Sequence, residues 1–155
     1  MKRFLPTLLL SLSLSASAQT GIPATIRVDR PSFANSSNVV GEGVNSLESG
    51  VLVTLNKNDP EALTQTPLMF RHGLTGDLEF RLGTSGLNLR DGSAGWADLA
   101  PGFKWNFHSD ESVSASLVGS LTVPVGSSTF RSASVTPSLS FALDLPVGPK
   151  TGVLL

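Results

Sequence analysis

The chain contains no cysteine and no tyrosine, and only 15% of its 155 residues are charged. Each shortage excludes something. Without cysteine there is no disulfide staple, no thiolate metal site and no cysteine nucleophile. The charged fraction falls well below the ~25% of a typical soluble domain. A formal net charge of −1 offers no field for nucleic acid or for an acidic partner. No stretch of about twenty apolar residues is present that could cross a membrane as a helix. Catalytic groups are equally scarce. His72 is expected on a lipid or interface side and His108 in a turn, far apart and without a serine or carboxylate relay. There is no Gly-x-Ser-x-Gly elbow, no His-Glu-x-x-His and no glycine-rich phosphate loop. The expectation is a protein that is not an enzyme and carries neither cofactor nor metal.

What is present begins with an export signal. Lys2 and Arg3 form a positive start, residues 4–14 an apolar core broken by Pro6, and Ala16-Ser17-Ala18 a small-residue site with cleavage expected before Gln19. The core is too short to span as a helix. Loss of Lys2 and Arg3 with this leader takes the net charge from −1 to −3. Three segments are expected: a leader over residues 1–18, a polar irregular segment over 19–43, and a β domain over 44–155. The middle segment holds Pro23, Pro31 and the run Asn35-Ser36-Ser37-Asn38. It reads either as a periplasmic tail or as a segment tucked into a lumen.

The β domain is organised around residues 112–124. Val113, Ala115, Leu117, Gly119, Leu121 and Val123 alternate with Ser114, Ser116, Ser120 and Thr122, Val118 being the exception. Period two over a dozen residues is a strand with one apolar and one wet face. It is longer than the usual five or six residues and suits a tilted bilayer crossing. Further strands are expected over 46–55, 66–74, 78–83, 98–107 and 135–145, with another beginning at Thr151. The connections between them alternate in length, with 56–65, 84–97 and 125–134 long and 75–77, 108–111 and 146–150 short. Outer-membrane barrels have long external loops and short periplasmic turns, so the first strand should run outward from a periplasmic N-terminus. Six or seven strands fall short of the eight that close the smallest single-chain barrels, and an open edge in hydrocarbon costs several kcal/mol per unpaired group. The expected fold is therefore an antiparallel up-and-down transmembrane β-barrel that is incomplete, either the N-terminal portion of a larger barrel or one of several copies that close together.

Several motifs in order carry a resemblance. Asp29-Arg30-Pro31-Ser32-Phe33 is followed by Leu47-Glu48-Ser49-Gly50, then by Phe70-Arg71-His72-Gly73-Leu74 and Leu78-Glu79-Phe80-Arg81-Leu82-Gly83. Asp98-Leu99, Gly102-Phe103-Lys104 and the Leu-Thr-Val-Pro-Val-Gly run from Leu121 to Gly126 complete the set. Together, over roughly residues 29–145, they resemble the outer-membrane transporter family labelled MetA pathway of phenol degradation. The sequence departs from that pattern at His72, where the family tends to have tyrosine, and in ending without the family's C-terminal half and its terminal aromatic. The resemblance implies an outer-membrane barrel, monomeric or oligomeric, that passes small hydrophobic or aromatic solutes. Its partners would be outer-membrane lipid, those solutes and the outer-membrane assembly machinery. By resemblance alone, Asp29 and Arg30 would make a plug-like contact in the lumen, with a solvated periplasmic tail as the alternative.

If the apolar faces point outward, Glu48, Arg71, Glu79, Arg81, Asp98, Lys104 and Asp144 line the lumen. Neighbouring strands bring Arg71 near Glu79 or Glu48, and are expected to bring Arg81 near Asp98. Mixed signs favour ion pairs that stiffen the wall over a field that selects solutes. Trp96, Phe103, Trp105 and Phe107 read as membrane-interface anchors. The functional expectation is a channel for passive passage of small hydrophobic or aromatic molecules. The alternative is an exported soluble β-sheet protein that binds an apolar ligand, or a structural outer-membrane protein without transport.

Overall fold

The computed structural model of the protein describes residues 35–56, 59–148 and 151–154. The expected leader, and Asp29 and Arg30, lie outside the described residues. Within them the chain is all β: β1 Asn45–Ser49, β2 Leu52–Asn56, β3 Asp59–Gln65, β4 Leu68–Gly73, β5 Leu78–Thr84, β6 Leu87–Arg90, β7 Ser93–Trp96, β8 Leu99–Ser109, β9 Ser114–Thr122, β10 Thr136–Gly148 and β11 Thr151–Leu154. Every strand pairing is antiparallel. A seven-stranded sheet runs β1-β4-β5-β8-β9-β10-β11, and a four-stranded sheet runs β2-β3-β6-β7.

The smaller sheet occupies segments expected to be loops. Residues 56–65 and 84–97 contain β3, β6 and β7, and the expected strand over 46–55 is divided into β1 and β2. The cause is a set of breaks where long strands bend from one sheet into the other. Gly50-Val51 separates β1 from β2, Thr66-Pro67 separates β3 from β4, Ser85-Gly86 separates β5 from β6, and Ala97-Asp98 separates β7 from β8. Pro67 has no N–H for a ladder. Gly86 has φ +70°, and a Cβ there would lie 1.9 Å from the Thr66 carbonyl oxygen. The first two long connections are therefore bent hairpin arms. The second arm turns at Asp91-Gly92, with φ of +47° and +71°, the backbone that a two-residue type I′ hairpin requires. The third long connection forms no strand and folds against the β7 edge. There Ser127 donates its N–H to the Trp96 carbonyl at 2.9 Å, and its hydroxyl accepts the Trp96 N–H at 2.9 Å.

The seven-stranded sheet inverts the usual arrangement of a soluble protein. Along β5, Glu79, Arg81 and Gly83 are buried while Leu78, Phe80 and Leu82 are half-exposed. Across β8, β9 and β10, Phe103, Trp105, Leu117, Leu121, Leu139 and Phe141 are exposed, Leu139 by 72%. Among the described residues the buried hydrophobic side chains are only Val40, Ala115 and Ala142. A bulge between Asn106 and His108 ends the alternation of β8. His108 thus belongs to the strand, and the turn follows it, where Asp110 donates its N–H to the Val113 carbonyl at 2.9 Å. β1 pairs with β4 alone and β11 with β10 alone, so among the described residues the sheet is open at both edges.

Candidate functional site: a buried charge cluster under an N-terminal strap

The register sets up an electrostatic conflict and its resolution. β4 and β5 put Arg71 directly opposite Arg81, an arrangement that destabilises a sheet when nothing separates the charges. β5 and β8 put Glu79 opposite Lys104. Glu79 lies two residues from Arg81 on the same face, so its carboxylate stands among all three cations. Arg71 donates to it twice, Nε to Oε1 at 2.9 Å and a terminal nitrogen to Oε2 at 2.8 Å. Arg81 Nε lies 3.5 Å and Lys104 Nζ 4.0 Å from Oε1. The other terminal nitrogen of Arg71 reaches Glu48 Oε1 on β1 at 3.1 Å. Glu79 and Lys104 are fully buried, and Arg71, Glu48 and Arg81 nearly so. Taking five charges out of water is costly, so the cluster is stable only as a set with its hydrogen bonds complete.

Residues 35–40 complete it. They form a strap across the polar face, with Ser37 fully buried. Val40 donates its N–H to Glu79 Oε2 at 2.8 Å. The Asn38 carbonyl accepts from Arg71 at 3.2 Å and from Lys104 at 3.1 Å, and the Ser36 carbonyl from Lys104 at 2.8 Å. The Ser37 carbonyl accepts from Asn106 Nδ2 at 2.9 Å and from the Ser116 hydroxyl. On β10, the Asp144 carboxylate accepts from the Ser36 hydroxyl, the Ser37 N–H and Asn38 Nδ2 at 3.0–3.1 Å. The Asn35 side-chain oxygen faces Arg81 at 3.4 Å. The strap thus spans residues from β4 to β10. It enters β1 through a turn in which Gly43, at φ +71°, donates to the Gly73 carbonyl at 2.9 Å. Gly73 is required there, since a Cβ would lie 2.0 Å from the Gly41 carbonyl oxygen.

Of the residues singled out from the sequence, Glu48, Arg71, Glu79, Arg81 and Lys104 come together, and Asp144 joins them through the strap. Asp98 does not. It lies beyond the Thr84–Leu99 pair that ends the β5–β8 ladder, whereas Arg81 faces Gly102. The Asp98 carboxylate instead accepts the N–H groups of Gly126 at 2.9 Å and Ser132 at 2.7 Å, pinning the third long connection. Arg81 finds its described ion pair with Glu79. Phe103, Trp105 and Phe107 line the outer face of β8, Phe103 edge-on to Phe80 and Trp105 beside Phe107, each with centroids 5.7 Å apart. Trp96 is exposed at the end of β7, in the other sheet. Asn106 and Ser116 were not singled out. Their even positions on wet faces are the only sequence signal they carry. Among the described residues, no group of three or more His, Asp or Glu side chains converges to hold a metal ion.

Consecutive antiparallel strands that bury charge and expose leucine and phenylalanine define a class: all-β proteins whose sheet is polar within and apolar without. Within that class the assignment is specific. The family model described as "Putative MetA-pathway of phenol degradation" matches residues 28–152, and the chain belongs to this family. Neither a curated protein nor a solved structure matches the chain.

Proposed function

We propose that the chain is exported by its N-terminal signal and forms the wall of an outer-membrane β-barrel through which small hydrophobic or aromatic molecules pass passively. The inversion of the seven-stranded sheet carries this reading. Exposed Leu117, Leu139, Phe141, Phe103 and Trp105 face a solvent in which apolar side chains cost nothing, and a bilayer is that solvent. The chemistry favours a channel over an enzyme, because the buried groups are engaged with one another and with the strap. The ion cluster then stiffens the wall, and the strap narrows the lumen at the level of Glu79 and Lys104. The family's description links it to phenol degradation, which accords with an aromatic solute. The partners are outer-membrane lipid, the solute and the assembly machinery. Fractionation of cells producing the chain, with electrophoresis of heated and unheated samples, tests the reading. Recovery in the outer membrane with heat-modifiable migration supports it, and recovery in buffer without detergent overturns it.

A further inference from the structure

The polar face of the large sheet is covered at two places. One cover is the strap over Glu79 and Lys104. The other is the third long connection, residues 125–134, and it lies on the same face. Along β8, Lys104, Gly102 and Ala100 alternate with the exposed Phe103 and Leu99, and the buried Asp98 continues their side. The Asp98 carboxylate accepts the Gly126 N–H at 2.9 Å through one oxygen and the Ser132 N–H at 2.7 Å through the other. The connection is thereby held near both its ends to one buried group, on the side that carries the strap.

Glycine at position 95 decides where the middle of the connection goes. Leu52, Gln65, Asn88 and Gly95 form one row across the small sheet. Asn88 and Gly95 are buried there, whereas Leu89 and Trp96, which alternate to the other face, are exposed. A Cβ on Gly95 would lie 2.8 Å from Phe130 Cδ2 and 2.8 Å from Ser127 Cβ. The Phe130 ring thus sits in space that any other residue at 95 would contest. A turn in which Phe130 donates its N–H to the Ser127 carbonyl at 2.9 Å, and the two bonds between Ser127 and Trp96, hold it there.

Phe130 breaks the rule that the aromatic rings of the large sheet obey. Phe70, Phe80, Phe103, Trp105 and Phe141 stand on the outer, apolar face. Phe130 stands on the polar side, over the row in which Gln65 Nε2 donates to Asn88 Oδ1 at 3.1 Å, and it is only half-buried. Leaving an apolar ring partly exposed forgoes stabilisation. It also presents a face on which another ring can stack.

We infer that residues 125–134 form an outer constriction of the lumen, with Phe130 the side chain that a passing aromatic ring meets and Asp98 the residue that positions it. This rests on the channel reading above. The strap and the connection then bound the lumen at opposite ends of the polar face.

The test gives intact cells producing the full chain phenol and the wider 1-naphthol in parallel. Phe130→Ala should raise uptake of 1-naphthol relative to phenol at least fivefold, because the smaller side chain admits the wider ring. An unchanged ratio overturns the constriction. The seating of the connection is read separately, from trypsin cleavage after the exposed Arg131 on the same cells. Asp98→Asn keeps the shape of the side chain but leaves one oxygen to accept two N–H groups, and it should speed that cleavage at least fivefold. Gly95→Ala displaces the ring without touching Asp98 and should do the same. A rate equal to that of the unmodified chain in either variant overturns the seating, and should Asp98→Asn fail to insert, Gly95→Ala decides alone. If cells producing the unmodified chain take up neither solute faster than cells without it, the channel reading fails and the constriction fails with it.

Discussion

β5 and β9 both turn alternate side chains to the face that carries the strap, yet β5 presents Glu79 and Arg81, whereas β9 presents Ser116, Val118 and Ser120. The two strands hold the same segment by unlike means. On the β5 side each charged group depends on several others, and Glu79 alone engages Arg71, Arg81, Lys104 and the Val40 N–H. On the β9 side Ser116 makes one bond to the strap through its hydroxyl. The difference teaches that the polar face of the sheet is not uniform. One half is an interdependent cluster that fails together, and the other is a row of small groups that fail singly.

The sharpest way to break this comparison is Glu79→Ala, which leaves Arg71 with Glu48 and removes the carboxylate that stands among Arg71, Arg81 and Lys104. The expected loss is about 3–5 kcal/mol of stability, typical of removing one partner from a buried ion pair, read from denaturant unfolding of the inserted protein. A loss below 1 kcal/mol would mean that the cluster is hydrated and not interdependent. Next comes the contrast between the two faces of one strand pair. Leu117→Arg, on the outer face, should cost about 2–4 kcal/mol and block insertion, while Ser140→Arg, which points inward from β10, should insert. Equal outcomes would remove the assignment of the faces. Smaller again is Ser116→Ala, which deletes one strap bond and should cost about 0.5–1.5 kcal/mol, seen as faster protease cleavage within residues 35–40.

The smallest effect concerns the turn after β8. The Ser112 hydroxyl, with the Ser112 and Val113 N–H groups, holds the Asp110 carboxyl well below its ordinary 3.8. A depressed carboxyl stabilises the fold above its ordinary pKa and loses that contribution as pH falls from about 4 through the folded value. Asp110→Asn should therefore flatten the acid limb of the stability curve and leave neutral pH almost unaffected. Asp110 is solvent-exposed, so high salt should shrink the difference.

Much of the large sheet was legible because period two is a local signal. The residues of β4, β5, β8, β9 and β10 alternate in the sequence as they do in the fold. The two hairpin arms were less legible. Asp91-Gly92 between Leu89 and Ala94 is a strong turn signal, yet loop parity drew residues 84–97 into a single connection. The ion pairs were partly legible for a related reason. Arg71 and Glu79 are near neighbours across a tight turn, whereas the position of Asp98 depends on where the β5–β8 ladder stops, which alternation does not reveal. The strap had no local signal at all. Nothing in Asn35-Ser36-Ser37-Asn38 distinguishes a solvated tail from a segment whose carbonyls receive Lys104 and Arg71.

The strap also sets an order of events during assembly. Ser36 and Asp144 are 108 residues apart in the chain, so their hydrogen bond closes a loop whose entropy cost grows with the logarithm of its length. The bond cannot form until β10 has been laid beside β9. Until then the Ser36 hydroxyl, the Ser37 N–H and Asn38 Nδ2 lack their shared acceptor, and Lys104, Asn106 and Ser116 hold the strap by its carbonyls alone. The last gain in resistance of residues 35–40 to cleavage is therefore a clock for the arrival of β10.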